Sequence, residues 1–326
     1  MALPRIHYIA FGGTIASTAT VPGGPVTPNL SAAGIIAAVP QLDRLAQIEA
    51  SDFPPLPSFS VTPSDMLAVA REAAAGLARG CDGVVITHGT DTIEETAYAL
   101  ALLLPRGAPI VLTGAMRNAS QTGSEGPANL LAAFQVATSP HAAGLGPLLV
   151  LNDEIHAARF GTKLHTSKAS TFESPGAGPL GEVVEGQADI WWRPAWEDEL
   201  GLPASVDACR VELVLLAAGL SDVTLRAAGA TRPAAIVIEG TGGGHVLPPL
   251  LPALDEILAA GIPVVIASRG ISGATLQRTY AFPGAELDLI ERGSIPVGRL
   301  SGHKARLRLI VGCSLGLDPR SLFPLR

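Results

Sequence analysis

The sequence predicts an α/β protein with two domains: a larger N-terminal domain with a mostly parallel sheet flanked by helices, and a smaller C-terminal α/β domain. Three observations support this fold class. The chain has 326 residues, which is long for a single ordinary domain. Strand-length segments recur that are apolar throughout, as in strands covered on both faces. Ala- and Leu-rich helical stretches separate several of them, which indicates parallel βα units.

The predicted strands are short and nearly free of polar residues. They are Ile6–Phe11, Gly83–Thr87, Pro109–Thr113, Pro147–Leu151, Val211–Ala217, Ala234–Ile238 and Pro263–Ala267. The predicted helices include Ser64–Arg79, Thr92–Leu104 and Pro127–Ala137. The pattern breaks across Ile190–Arg210, where three tryptophans lie among prolines and acids. We therefore expect one domain over residues 1–195, a linker over 196–210 and a second domain over 211–326.

The composition excludes several classes of function. Hydrophobic residues make up 48% of the chain and charged residues 16%, and the net charge is −7. Without a basic run or a positive field, nucleic acid is not an expected partner. The three cysteines form no C-x-x-C pair, so neither a disulfide framework nor a zinc knuckle is predicted. The sequence has no leader-like start and no apolar run of about 18 residues, so we expect a cytoplasmic protein without a membrane partner.

The first segment that offers a candidate catalytic residue follows the first strand. Its sequence is Phe11-Gly12-Gly13-Thr14-Ile15-Ala16. Two glycines at a strand's carboxyl end allow a sharp turn and a close approach to a ligand. Thr14 is therefore a candidate nucleophile. A tight turn with a capping threonine explains the same residues.

The second segment, Val85–Thr96, is another strand-to-helix junction and is rich in hydroxyls and carboxylates. Thr90 or Asp91 can act as the helix N-cap, with Glu94 closing a capping box. The same geometry suits a zwitterionic amino acid: free N–H groups and the helix dipole attract its carboxylate, and Asp91 attracts its ammonium.

Two further segments add polar groups. Lys163 lies among small hydroxyl residues in Gly161–Lys168, and near Thr90 and Asp91 it could accept a hydroxyl proton if burial depresses its pKa. A solvated surface lysine is the alternative. Thr113–Arg117 ends a strand in small residues, where the Ala115 carbonyl could receive an amide N–H.

Together these motifs resemble bacterial-type L-asparaginases. Residues 12–16, 87–92 and 113–117, Asn152-Asp153 and Lys163 follow the order and spacing of that family. The resemblance implies hydrolysis of L-asparagine, with glutamine as a possible slower substrate, through a threonine acyl-enzyme. It also implies a homotetramer built as a dimer of dimers. The seven histidines lack metal-ligand spacing and no phosphate-binding loop motif occurs, so neither a metal nor a cofactor is expected.

The resemblance further implies a role for each site residue. Thr14 is the nucleophile, and Thr90 with Lys163 activates water or supplies an alternative nucleophile. Asp91 binds the substrate ammonium. The Thr90 N–H and the Ala115 region stabilise charge near the scissile amide.

The sequence also departs from the family. Residues Ser17–Pro28 lack the tyrosine that many members carry there, and a proline occupies the aligned position of the serine that grips the substrate carboxylate. Ser64 is the expected substitute. The glutamate that some members lend to a neighbouring subunit corresponds to Tyr280 or Glu286. Two rival functions stay open: a glutaminase-type ammonia donor for tRNA-dependent amidation, and a non-catalytic amino-acid-binding protein.

Overall fold

The computed structural model describes residues 2–19, 24–54, 56–195 and 198–324. The chain forms two compact units, Met1–Leu202 and Pro203–Arg326. The division falls inside the segment predicted as a linker, and two residues of that segment, Trp196 and Glu197, lie outside the described residues. The limits 1–195 and 211–326 stay sequence-based predictions.

The first unit is built on one large sheet and four helices. Its strands are β1 (Arg5–Ala10), β2 (Ser17–Ala19), β3 (Val26–Pro28), β4 (Gln47–Asp52), β5 (Gly83–Thr87), β6 (Ile110–Thr113), β7 (Pro147–Leu151), β8 (Glu154–Ala157), β9 (Thr162–Lys163), β10 (Phe172–Glu173), β11 (Gly181–Val184) and β12 (Gln187–Ile190). Its α-helices are α1 (Ala32–Ala37), α2 (Pro63–Ala78), α3 (Ile93–Leu103) and α4 (Gly126–Ala137). Short 3₁₀ helices cover Thr14–Ala16, Pro40–Arg44, Ser58–Ser60 and Pro140–Ala142.

The eight-stranded sheet has the order β12-β11-β8-β7-β6-β5-β1-β4. Five neighbouring strands run parallel, in the order β7-β6-β5-β1-β4. Strands β8, β11 and β12 extend the sheet beyond β7, and each is antiparallel to its neighbours. The parallel half and its helices confirm the predicted fold class. In β5 and β7 every residue is buried, as expected for strands covered on both faces.

The antiparallel half was not predicted. It begins at a two-residue turn between β7 and β8, where Asn152 and Asp153 have φ angles of 53° and 64°. A hairpin turn with positive φ at both central positions matches the twist of the flanking strands, and Asn and Asp tolerate that conformation. The pair Asn152-Asp153, noted above as a family motif, is thus a turn signal that reverses the chain.

Helix α2 illustrates how local sequence sets an element's start. Thr62 accepts a hydrogen bond from the Asp65 N–H, and the Asp65 side chain accepts one from the Thr62 N–H. This capping box, with Pro63 in the first turn, satisfies N–H groups that have no partner within the helix. The helix then packs directly over β1, because a β-carbon on Gly76 would lie 2.6 Å from the His7 ring.

The second unit contains a smaller sheet. Its strands are β13 (Val211–Leu215), β14 (Ala235–Gly240), β15 (Val264–Ser268) and β16 (Ile295–Pro296), and its α-helices are α5 (Val223–Ala230), α6 (Leu251–Ala259), α7 (Glu286–Arg292), α8 (Gly302–Ser314) and α9 (Pro319–Leu322). The four strands are parallel and follow chain order. A separate apolar core, including Leu225, Ile236 and Leu254, lies on one side of this sheet.

The segment Ser17–Pro28 contains two short strands. Strands β2 and β3 pair antiparallel at its two ends, with Thr18 opposite Thr27. Residues 20–23 between them lie outside the described residues. In the parts of the chain that the structure describes, no helix combines the length and apolarity required to cross a membrane.

Candidate active site

Three adjacent strands of the parallel half end in the segments singled out by sequence. Thr14 follows β1, Thr90 and Asp91 follow β5, and Ala115 follows β6. Strand β5 pairs with both of its neighbours in parallel register. Because parallel neighbours end at the same edge of a sheet, the fold gathers these segments at one crevice.

Two glycines hold the first two turns against each other. Gly13 has a φ of 92°, and a β-carbon at this position would lie 2.4 Å from the Gly89 nitrogen. The Phe11 N–H also donates to the Thr87 carbonyl across 2.9 Å. No side chain fits between the turns, so the threonine-bearing segments after β1 and β5 touch through their backbones.

Lys163 joins Thr90 and Asp91 in one polar cluster. Its Nζ donates to the Thr90 Oγ1 at 2.9 Å and to the Asp91 Oδ1 at 2.7 Å. Thr90 is buried, the Lys163 side chain is 15% exposed, and the Asp91 side chain is 54% exposed. The sheltered amine is therefore bonded to a buried hydroxyl on one side and to an accessible carboxylate on the other.

The start of helix α3 corrects one sequence-based reading. Thr92, not Thr90 or Asp91, is the N-cap residue, and its side chain makes no capping hydrogen bond. Glu94 closes no capping box. Its carboxylate instead accepts hydrogen bonds from the Thr162 hydroxyl and, at 3.2 Å, from the Lys163 N–H. The polar residues of this junction thus serve contacts beyond the helix itself.

Ser58 belongs to the cluster and was missed from sequence. Its Oγ accepts the Asp91 N–H at 3.3 Å, and its carbonyl accepts the Thr92 hydroxyl at 2.7 Å. It is buried against Gly89, where a β-carbon would lie 2.6 Å from the Ser58 side chain. The only sequence signal was a hydroxyl in a Pro- and Ser-rich stretch without periodicity.

Ser64, the residue chosen from sequence for substrate binding, lies in the first turn of α2 and is half-buried. Its proposed contact with the substrate carboxylate stays a prediction. Ser58 begins the 3₁₀ helix Ser58–Ser60, whereas Ser64 lies within the capping box of α2, so the two serines belong to different structural elements.

Ala115 is fully buried beside both threonine turns. A β-carbon on the preceding Gly114 would lie 3.3 Å from the Thr90 Cγ2, and one on Gly126 would lie 3.5 Å from the Ala115 Cβ and 3.1 Å from the Ile15 Cγ1. The Gly114 carbonyl accepts the Asn129 side-chain amide at 2.9 Å. Small residues at these positions allow the three strand ends to meet.

The histidine of the second motif is a buried, neutral scaffold. His88 pairs its Nδ1 with the Gly89 carbonyl at 2.7 Å and its Nε2 with the Thr96 hydroxyl at 2.9 Å. Burial lowers the pKa of His88 to about 4, although the bond to the Gly89 carbonyl opposes the shift. Uncharged at neutral pH, the ring braces the turn that carries Thr90.

Thr14 lies in a 3₁₀ turn and is half-buried. The turn is fixed by Ser17, whose hydroxyl donates to the Gly13 carbonyl at 3.0 Å. Within the described residues, no side chain hydrogen-bonds to the Thr14 hydroxyl. Residues 20–23, part of the segment that lacks the family tyrosine, lie outside the described part of the chain.

One group of potential metal ligands occurs elsewhere in the described residues. Donor atoms of His7, Glu49 and Cys81 lie within 4.8 Å of one another. Arg79 already fills this place: its Nη2 is 2.5 Å from the Glu49 Oε1 and 3.4 Å from the His7 Nδ1. The arrangement is therefore an ion-paired cluster whose carboxylate is balanced by a guanidinium, rather than an open cage for a cation.

In the second unit, the two residues considered for a neighbour's site have different surroundings. Glu286 is 4% exposed and accepts the N–H groups of Thr279 and Tyr280 at 2.7 and 2.6 Å. Burial raises its pKa, but these backbone donors and His245 outweigh burial and hold the pKa below its usual value. Tyr280 is 43% exposed. Glu286 therefore organises its own loop, and Tyr280 faces outward.

Comparison with known proteins covers nearly the whole chain. Residues 5–196 match the family model described as asparaginase, N-terminal, and residues 210–322 match the glutaminase/asparaginase C-terminal domain. The chain is 40% identical over 321 residues to a probable L-asparaginase of Deinococcus radiodurans, which covers 97% of this chain and 94% of that protein. It is 32% identical over 329 residues to a glutaminase-asparaginase of Pseudomonas fluorescens biotype A, covering 98% and 89% of the two chains.

Among solved structures, a probable cytoplasmic L-asparaginase from Campylobacter jejuni is similar to this chain. The two structures have a TM-score of 0.86 at 30% sequence identity, and the match covers 98% of each chain. The similarity therefore extends over both units.

Proposed function

This chain belongs to the asparaginase family, and from that premise we propose that it hydrolyses the side-chain amide of L-asparagine to L-aspartate and ammonia. The observation that carries the proposal is the contact of the Lys163 ammonium with both the Thr90 hydroxyl and the Asp91 carboxylate, at 2.9 and 2.7 Å. An amine in contact with a hydroxyl, and oriented by a carboxylate, is an arrangement that suits covalent hydrolysis of an amide.

In the proposed first step the Thr14 oxygen attacks the amide carbon. A C–O bond forms, the C–N bond breaks, and the proton lost from the Thr14 hydroxyl is transferred to the departing nitrogen, which leaves as ammonia. Backbone N–H groups of the Thr90 turn and the region of Ala115 stabilise the negative charge on the amide oxygen. In the second step water attacks the acyl-threonine ester, which releases the aspartate carboxylate and restores the hydroxyl.

Lys163 with Thr90 activates the water or supplies the alternative nucleophile. The Lys163 amine hydrogen-bonds to both the Thr90 hydroxyl and the Asp91 carboxylate, so it lies where it can relay a proton from that hydroxyl.

The same cluster accounts for recognition of an amino acid. Asp91 is more than half exposed, so its carboxylate can take the substrate ammonium while it keeps its contact with Lys163. The substrate carboxylate would lie near the N-terminus of the 11-residue helix α3, where unpaired N–H groups favour negative charge. Ser58, which accepts the Asp91 N–H, would fix the position of Asp91.

The test is ammonia release from L-asparagine and, separately, L-glutamine by the purified chain and by the variants Thr14→Ala and Thr90→Val. We expect release from L-asparagine and its loss in both variants. Thr18→Val, in β2, is the matched control and should retain activity. Absence of ammonia from the unmodified chain on both substrates would refute the proposal.

Slower hydrolysis of glutamine is a second proposed activity, supported by the relative named glutaminase-asparaginase. Ammonia release from L-glutamine in the same assay tests this second activity. Isothermal titration calorimetry with L-asparagine separates the remaining alternative: binding without ammonia release would mean an amino-acid-binding protein. A pull-down that recovers an amidotransferase or synthetase subunit would favour the ammonia-donor function.

We further propose a cytoplasmic homotetramer assembled as a dimer of dimers. The proposed location rests on the Campylobacter jejuni structure described as a probable cytoplasmic enzyme. The assembly rests on the family resemblance alone. Light scattering coupled to size exclusion measures it directly, and a mass of four chains is the expected result.

A further inference from the structure

Glu94 connects the segment that carries Thr90 and Asp91 with Lys163, which lies 69 positions after Glu94 in the sequence. It is the second residue of α3 and is 8% exposed. One carboxylate oxygen accepts the Thr162 hydroxyl and the other accepts the Lys163 N–H at 3.2 Å. A single side chain thus binds two consecutive residues of β9, one of which is Lys163.

Strand β9 is short and lies outside the large sheet. It has two residues and, within the described part of the chain, pairs with β10 in a two-stranded ribbon. Isolated two-stranded pairings are marginal in stability. The Lys163 side chain must nevertheless hold its Nζ within hydrogen-bond distance of both Thr90 and Asp91.

We propose that Glu94 is a positioning residue that aligns the Lys163 ammonium with Thr90 and Asp91. It does so by accepting hydrogen bonds from the Thr162 hydroxyl and the Lys163 N–H, a pair of bonds that we call the clamp. The inference rests on the proposed function, because it assigns Glu94 to the same reaction. Glu94 is not itself a catalytic residue: it acts through the placement of Lys163.

The clamp requires a carboxylate of this length. Both of its partners are donors, and a carboxylate offers two acceptor oxygens. A glutamine would turn its NH₂ group toward one of the two donors, and an aspartate would be too short by one methylene to reach both. Removal of one bond leaves a half-buried donor of β9 without this acceptor, which costs more than the bond contributes.

The kinetic test uses four variants: Glu94→Gln, Thr162→Val, Thr162→Ser and Glu173→Gln. We expect Glu94→Gln and Thr162→Val to lower kcat for L-asparagine by about tenfold or more with KM changed by less than about threefold. KM should change less than kcat because Asp91, which binds the substrate in our proposal, keeps its hydrogen bond to Ser58. Thr162→Ser keeps the hydroxyl and should restore most of the activity. Glu173→Gln removes an exposed carboxylate in β10 and is the matched control.

A second measurement does not depend on turnover. The lysines of the chain are Lys163, Lys168 and Lys304, so a sample labelled with ¹³C and ¹⁵N at lysine gives a simple spectrum. Lys163→Arg assigns the Lys163 signal. In Glu94→Gln we expect its Cε and Nζ chemical shifts to move toward those of the exposed Lys168, because the ammonium leaves its contacts with Thr90 and Asp91.

The two readouts separate the inference from the proposed function. If the unmodified chain releases no ammonia, the proposed function fails, and the lysine spectrum still tests the clamp. A folded Glu94→Gln protein with an unchanged Lys163 signal and unchanged kcat would overturn the inference. Equal loss of activity in Thr162→Ser and Thr162→Val would overturn the inference as well, because a hydroxyl at position 162 would then not restore activity.

Discussion

The ammonium nitrogen of Lys163 lies 2.9 Å from the hydroxyl oxygen of Thr90, across 73 positions of sequence. Thr90 follows a strand of the large sheet, whereas Lys163 lies in the two-residue strand β9, which belongs to a separate two-stranded ribbon. The contact therefore exists only after the ribbon has folded against the strand ends. It is also the contact whose removal should affect the proposed chemistry most directly.

Lys163→Met removes the amine and keeps much of the apolar side chain. We expect kcat for L-asparagine to fall between about 10²- and 10⁴-fold, the range for loss of a general acid–base group. Lys168→Met, at an exposed position nearby in sequence, should leave kcat unchanged. Steady-state kinetics with coupled ammonia detection measures both, and an active Lys163→Met enzyme would exclude Lys163 from the chemistry.

Gly13→Ala tests the contact between the two threonine turns. The new β-carbon would lie 2.4 Å from the Gly89 nitrogen on a backbone with φ of 92°, so the turns must separate. We expect a loss of about 1–3 kcal/mol in the free energy of unfolding, as for strained or overpacked sites, together with loss of activity.

Gly107→Ala provides the comparison for Gly13→Ala. A β-carbon on Gly107 would have no atom within 4 Å, so this change should leave both stability and activity close to those of the unmodified chain. Urea denaturation and the ammonia assay are sufficient. Equal stability of the two variants would contradict the close approach of Gly13 and Gly89.

Ser58→Ala tests the serine that the tertiary structure adds to the site. The Asp91 N–H loses its acceptor, so Asp91 should shift and the KM for L-asparagine should rise several-fold with a smaller change in kcat. Ser60→Ala, exposed at the end of the same 3₁₀ helix, is the control. Ser64→Ala in parallel decides whether the residue chosen from sequence also contributes to binding.

His88 should make stability depend on pH. Its pKa is lowered to about 4 by burial in the folded protein, against 6.5 for an unperturbed histidine. The unfolded chain therefore binds a proton at a higher pH than the folded chain. The stability contribution is complete above about pH 6.5 and is lost as the pH falls toward 4, by roughly 3 kcal/mol at most.

The expected result is a smaller fall in the free energy of unfolding between pH 7 and pH 4.5 for His88→Gln than for the unmodified chain. His141→Gln, at an exposed position, should keep the full pH dependence. Urea titrations at both pH values provide the measurement. An unchanged pH dependence in His88→Gln would show that His88 is not the group that titrates.

The sequence predicted the regular elements of the parallel half well. Strands β5 and β7 begin and end at the predicted residues, and helices α2 and α3 differ from prediction by one residue at each end. Continuous apolar runs identify strands buried on both faces, because side chains on either face of such a strand pack against other parts of the protein. The strands of the antiparallel half are more difficult to predict from sequence, since a short, half-buried strand such as β11 has no continuous apolar run. Their pairing depends on turns such as Asn152-Asp153.

The sequence by itself determined the fold class and the motifs around Thr14, Thr90 and Lys163, because hydrophobic periodicity and strand-end glycines are local properties of the chain. Only the tertiary structure decided that Ser58 supports Asp91 and that Glu94 binds β9 rather than capping α3. Both are hydrogen bonds between segments at least 33 residues apart. The geometry of such bonds depends on packing of the intervening elements, which no local pattern specifies.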